Sequence, residues 1–329
     1  MTGVQTCALP IYTDEILAKD VPKVAYQIAN TKDSSLSQYD MIKALELSQA
    51  AFLSLKGYCQ KKGILFLSTP FDFGSLHFLV DQAEIACIKM ASNEITNGPL
   101  LLEAAATQKP IILSTGMSTL DDIEDALSLL AFGYTRDLKE VTNKAQFKKA
   151  YHSQIGQQAL KEKVSILHCT SEYPAPYNHV NLRVLKTLSE KFGLTVGYSD
   201  HTLGIEVSIA AVALGARIIE KHFTISRDLE GPDHLASLVP EELKSLVEGI
   251  RHVEQALGSG VKQPTETELE HLKIMRRSIV ARNNITVGEI FSTHNITAKQ
   301  PAAGISPMEY WEYLGKIAQR NYKKDEVIS

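Results

Sequence analysis

Six short apolar runs recur along the chain, and each closes in polar residues. They are ILFLSTPF (64–71), IACIKMAS (85–92), PIILSTGM (110–117), VSILHCTS (164–171), LTVGYSDH (194–201) and ARIIEKHF (216–223). Near-continuous, β-branched hydrophobicity over so few residues predicts strands buried on both faces, as in parallel sheets. Helical patterns fill the intervals, from SLHFLVDQA after the first run to PEELKSLVEGIRHVEQALGSG after the last. STLDDIEDALSLLAFG, after the third, offers Ser118 or Thr119 as N-cap and acids in its first turn. The interval from Pro110 to Val164 is the long one. Its excess, around RDLKEVTNKAQFKKAYHSQIGQQ, is polar and lysine-rich, which predicts a solvated helical insertion.

Repeated βα units admit a doubly wound sheet or a (β/α)8 barrel. No G-x-G-x-x-G follows a strand, which weighs against a dinucleotide fold. All six runs end in polar or ionisable residues, and in a barrel such ends converge on the mouth where active sites are built. An open sheet gathers its ligands at one switch point instead. The expected fold is therefore α/β: a (β/α)8 TIM barrel of which six units are visible, its first two strands lacking. Residues 1–11, MTGVQTCALPI, have no basic n-region, and a proline interrupts their apolar patch, so they do not read as a secretory signal. They are set apart as a non-native leader similar to translated sequencing-adapter read-through. The expected division is leader 1–11, incomplete barrel 12–260, polar linker 261–275 and a small C-terminal domain 276–329.

A net charge of −4 gives no electrostatic reason to expect nucleic acid or an anionic membrane. No apolar stretch approaches the roughly 20 residues of a transmembrane helix. Cys7, Cys59, Cys87 and Cys169 lack C-x-x-C spacing, which points to a reducing cytoplasm rather than a disulfide framework.

His201 and His222 end adjacent predicted strands, so both can reach one point at the mouth. Two imidazoles with open positions suit a Lewis-acid metal; the alternative is a pair of strand-end histidines buried for packing. Asp200 either orients a ligand or caps the next helix. Alternation puts Glu220 on the face of His222 with Lys221 opposite, so Glu220 either handles a water or forms a salt bridge in the mouth. Lys89 ends a buried run and calls for an anion; a Schiff-base lysine, as in barrel aldolases, is the rival. Thr69, Ser92, Ser114 and Ser199 can each donate to an anion or cap a helix. His168 reads as a packing or hydrogen-bonding residue.

These strand ends, with STPFD, IKMASNE, ILSTGM, HCTSEYPAP, GYSDHTLG, IEKHF and GPDHLASL in order, resemble the sialic acid synthase family, and residues 276–329 resemble its antifreeze-like (SAF, β-clip) domain. The likeness covers about residues 12–329, most similar to the N-acetylneuraminate and legionaminate types. It implies condensation of phosphoenolpyruvate with N-acetylmannosamine or a related 2-acetamido or 2,4-diacetamido hexose, giving a sialic-type acid and phosphate. It implies a divalent metal on His201 and His222, manganese with magnesium or cobalt as alternatives, and a domain-swapped homodimer. Glu220, Glu94 and Lys89 are the implied catalytic residues. Thr69, Ser92, Ser114, Ser171, Tyr173, Ser199 and Asp233 are the implied substrate contacts. The chain departs from the family at Gln300, where the KQPAAG stretch has lost the usual arginine, and at Ser171, where some members carry asparagine. The glutamate, lysine and glutamine of the family's first two strands have no counterpart. A catalytically inactive fragment that only binds ligand is the remaining alternative.

Overall fold

The computed structural model describes residues 3–5, 11–31, 37–141 and 143–329. The chain divides into two compact units, Met1–Leu257 and Gly258–Ser329.

In the first unit, β3 (Ile88–Met90), β4 (Ile111–Ser114), β5 (Val164–Cys169), β6 (Thr195–Asp200) and β7 (Ile219–Lys221) form one parallel sheet in that order. Chain order is kept from edge to edge with no reversal. A doubly wound sheet reverses its order at a switch point, so this arrangement is that of a barrel wall. The inward and outward faces are both apolar: Ile88, Met90, Ile111, Leu113, Ile166, Leu167 and Tyr198 are all 1% exposed or less, which removes any solvent-facing side. Five of the six predicted strands therefore stand in one half-barrel. The sixth, 64–71, forms β2 (Leu65–Leu67), which pairs in parallel with β1 (Gly3–Gln5), Gly3 opposite Leu65. Of the segment 1–11, the backbone of 3–5 and Ile11 lie within the described residues; the rest, Cys7 included, lies outside them. Ile11 is buried in the same core as Phe52, Phe66 and Leu76.

Each strand is followed by its helix. Gly98–Ala106 begins with Asn97, whose side chain accepts from the Leu100 N–H. Leu120–Thr135 begins with a capping box, Thr119 and Asp122 each accepting from the other's backbone N–H. The insertion is helical, over Ala145–His152 and Gln154–Lys163, but it is not wholly solvated. Ala150 and Leu160 are buried, and Phe147 meets Phe132 edge-on at 5.3 Å, so its apolar residues dock on the 120–135 helix. Among the described residues no helix is long and apolar enough to cross a membrane.

The second unit has its own core of Ile279, Ile285, Phe291, Ile296, Tyr322 and Ile328 around the antiparallel pair β8 (Ser278–Ala281) and β9 (Ile296–Lys299). The segment 261–275, expected as a linker, is helical over Glu266–Met275. Thr265 and Glu268 form a capping box that starts this helix despite its polar sequence.

Candidate active site

The pairing of β6 with β7 sets Ser199 opposite Glu220 and Asp200 opposite Lys221. Because side chains alternate, the first pair shares one face and the second pair the other. On the Ser199 face, Ser199 Oγ donates to Glu220 Oε1 at 2.7 Å. Lys89, from β3, reaches the same carboxylate with Nζ 3.4 Å from Oε2. Its ammonium also donates to Ser114 Oγ at the end of β4 (2.8 Å) and to the Met90 carbonyl (3.2 Å). Lys89 is 4% exposed and Ser199 1%. At an effective dielectric near 20, charges at this distance attract by about 5 kcal/mol, which desolvation of the two ions largely offsets. The pair is therefore not a stabilising device, and an anion arriving beside Lys89 meets a cation already dehydrated. Burial alone would raise the Glu220 pKa, yet the Lys89 ammonium, the Ser199 hydroxyl and the two histidines outweigh it and hold the carboxyl below the ordinary glutamate value. Lys89 is thus engaged by Glu220, Ser114 and the Met90 carbonyl together.

His201 and His222 stand beside this pair, their ring centroids 5.2 Å apart and their planes at 83°. His201 Nδ1 lies 2.7 Å from the Thr170 carbonyl, which can only accept, so Nδ1 carries the proton and Nε2 presents its lone pair. The nearest hydroxyl to Nε2, Ser199 at 3.4 Å, already donates to Glu220. Burial, and next the neighbouring His222, push the His201 pKa down to about 4, which keeps the ring neutral. Asp233 Oδ2 lies 3.7 Å from His222 Nδ1. The other oxygen, Oδ1, is buried without a hydrogen-bond partner, and burial raises this carboxyl's pKa. Two imidazoles and a carboxyl oxygen left without a hydrogen-bond partner fit a cation or a polar ligand between them. Among the described residues no third His, Cys, Asp or Glu joins the two histidines as a ready-made ligand set. Tyr173 covers them, its ring 4.1 Å from His201 and 5.4 Å from His222.

Gly116 closes the base of the site. Its N–H donates to Ser92 Oγ at 3.0 Å. A Cβ there would meet Ser171 Oγ at 2.5 Å and Ser92 Oγ at 2.8 Å, so only glycine lets these hydroxyls converge. Thr69 is buried just beyond β2. Glu94 stands apart from the Lys89–Glu220 pair. It sits in the 3-10 turn Ser92–Glu94 and accepts from Asn93 and Asn97 at 2.8 Å each, its pKa raised by burial. His168 lies 2.6 Å from the Val180 carbonyl and against the Tyr198 ring. Asp200 neither caps a helix end nor faces the histidines; it is paired with Lys221 on the opposite side.

Two residues of the helix Ala25–Thr31 also belong here and were not anticipated. Asn30 Nδ2 donates to the carbonyls of Tyr173 (3.2 Å) and Pro232 (2.5 Å), clipping together the loops that carry Tyr173 and Asp233. Tyr26 lies 5.0 Å from the Tyr173 ring, its phenol pushed up to about 12, chiefly by burial. Tyr26 and Asn30, four residues apart, share one face of this helix, but the spacing does not say what that face meets.

Residues 3–262 match the NeuB family, and residues 276–329 match the SAF domain. The chain belongs to the NeuB family. Among its relatives in that family, the N,N'-diacetyllegionaminic acid synthase of Campylobacter jejuni is 45% identical over 306 residues, covering 93% of this chain and 84% of the relative. The N,N'-diacetyllegionaminic acid synthase of Legionella pneumophila is 41% identical over 308 residues, covering 94% and 80%. Among solved structures, the N-acetylneuraminic acid synthetase of Leptospira borgpetersenii, crystallised with citrate, is 36% identical with a TM-score of 0.59, covering 71% of this chain and 72% of that one. The NeuB-family match and the SAF domain agree with the barrel and antifreeze-like segment expected from the strand-end motifs.

Proposed function

We propose that this chain condenses phosphoenolpyruvate with the open-chain aldehyde of an N-acetylated amino sugar, giving a 2-keto sugar acid and phosphate. The observation that carries the reading is the buried Lys89–Glu220 pair beside two converging imidazoles, on the strand ends of a NeuB-family barrel. A 2,4-diacetamido hexose is the favoured acceptor, because the relatives at 45% and 41% identity are both named for N,N'-diacetyllegionaminic acid.

Lys89, with the hydroxyls of Thr69, Ser92, Ser114, Ser171 and Ser199, receives the phosphate and carboxylate of phosphoenolpyruvate. His201 and His222 would hold a divalent cation, manganese first and magnesium or cobalt as alternatives, which would supply Lewis acidity toward the aldehyde oxygen. Tyr173 and Asp233 orient the sugar. C3 of phosphoenolpyruvate forms the new carbon–carbon bond to the aldehyde carbon. Glu220, ionised, takes a proton from the water whose oxygen adds to C2, and the C2–O bond to phosphate then breaks to leave the keto group. Glu94, which holds its proton more tightly than an ordinary glutamate, is the proton donor to the new hydroxyl.

The second unit leaves Met308 80% and Trp311 73% exposed, which supports a surface that covers a second copy in a domain-swapped homodimer. Gln300 offers no charge there, and its amide donates to the Met275 carbonyl at 2.6 Å. Cys59, Cys87 and Cys169 are free thiols, which suits a cytoplasmic enzyme.

The test is phosphate release from phosphoenolpyruvate with and without a 2,4-diacetamido hexose. Release should require the sugar, and Glu220→Gln should slow it by roughly 10²–10⁴-fold. Sugar-independent release, or an unchanged rate in the variant, overturns the proposal.

A further inference from the structure

Behind the histidines, on the face turned away from Ser199 and Glu220, lies a charge network with no role in the chemistry above. Asp200 is wholly buried, and the Lys221 side chain is 3% exposed. They are register partners on β6 and β7, with Nζ 3.0 Å from Oδ2. Lys221 also donates to the Thr202 carbonyl at 2.5 Å, and Thr202 donates its N–H and its hydroxyl to Asp200 Oδ1, both at 2.8 Å. Ser208, on the helix Glu206–Ala213, adds a bond to Oδ2 at 2.6 Å. Asp200, Thr202 and Lys221 thus form a closed ring in which every carboxylate oxygen and the ammonium have partners.

The position of this ring matters more than its strength. The backbone ladder between β6 and β7 ends at Asp200 opposite Lys221, one residue short of His201 and His222. Beyond that point the β6–β7 ladder no longer ties the two histidines to each other, each carbonyl accepting instead from a different segment, His201 from the Ala175 N–H and His222 from the Leu238 N–H, and the side-chain ring continues the tie between them. It encloses His201 between Asp200 and Thr202, and it grips the residue before His222. A buried ion pair contributes little net stability against an apolar pair of the same volume, so a stability role does not account for it. We infer that Asp200 and Lys221 are positioning residues that fix the separation of His201 and His222, and so set the affinity of the site for a divalent cation.

The inference rests on the metal reading proposed above, and the experiment separates the two. Manganese binding to the metal-free protein is measured by electron paramagnetic resonance for the parent, for His201→Ala, for Asp200→Asn/Lys221→Met and for Thr202→Val. Removing both charges together avoids leaving one buried and unpaired. The double variant should keep its phosphoenolpyruvate affinity and its melting temperature near those of the parent, yet bind manganese at least about tenfold more weakly, the usual effect of losing an outer-shell partner. Thr202→Val, which removes the hydroxyl bond to Asp200 Oδ1 while its backbone bonds to Asp200 and Lys221 remain, should weaken manganese in the same direction by a smaller factor, and it decides the matter if the double variant does not fold. Manganese affinity within twofold of the parent in a folded variant overturns the inference. A parent that binds no manganese, or a His201→Ala variant that binds it unchanged, overturns the metal reading and this inference with it.

Discussion

His201 couples the site to acidity. In the folded chain its pKa is about 4, against an ordinary value of 6.5, because burial and then the neighbouring His222 oppose the charged ring. The unfolded chain therefore binds the proton more readily between those values, and stability falls as pH falls through that window. The expected loss between pH 6.5 and 4 is on the order of 3 kcal/mol. Glu220, held below its ordinary 4.5, acts in a lower window: its contribution is present above about 4.5 and is lost as pH drops through its folded value. Urea unfolding followed from pH 7.5 to 5 stays above the Glu220 window, and because burial lowers the His168 pKa as well, His201→Gln should reduce the slope there rather than abolish it; an unchanged slope refutes the assignment. Much at this scale could be read in advance. Alternation alone separates Glu220 from Lys221, and the structure puts their partners Ser199 and Asp200 on the same two faces. The orphaned Asp233 oxygen and the Asn30 clip could not be read, because both depend on loops whose path no periodicity encodes.

Among elements, the helices owe their starts to single side chains. Thr119 accepts from the Asp122 N–H, and Asp122 returns the bond to the Thr119 N–H. Thr119→Ala should cost about 1 kcal/mol in urea denaturation, and Thr119→Ser should restore most of it; equal stability of all three would show that packing alone sets this helix. Of the two candidate caps in the sequence, the structure uses Thr119, while Ser118 donates to the Gly116 carbonyl. The strands were legible because runs such as VSILHC are apolar on both faces. The helix Glu266–Met275 was not, because it contributes no buried residue and leaves no apolar stripe to detect. Its Thr265–Glu268 box was the readable signal. The insertion reads as helical in its sequence, but its docked face does not, since Phe147, Ala150 and Leu160 are few among many lysines and glutamines.

For the whole molecule, separate cores predict separable units. Residues 258–329 bury Ile279, Ile285, Phe291, Ile296, Tyr322 and Ile328 among themselves. Expressed alone, this segment should give a dispersed amide spectrum, and Phe291→Ala, at about 3–5 kcal/mol, should collapse it. A collapsed spectrum for the unaltered segment would show that the first unit is needed for its folding. The barrel class was legible because successive strand ends all carry chemistry, and the unreversed order of β3 to β7 is the arrangement that makes this useful. That same order bears on how the chain is made. Each strand emerging from a ribosome finds its neighbour already synthesised, so the sheet can grow at one edge without waiting for distant sequence. The stretch between β4 and β5 is the one delay. Its added length roughly doubles the usual interval, which raises the closure cost by only about 0.6 kcal/mol. The docked helices 145–152 and 154–163 shorten even that reach, so a barrel built in sequence tolerates growth at this point.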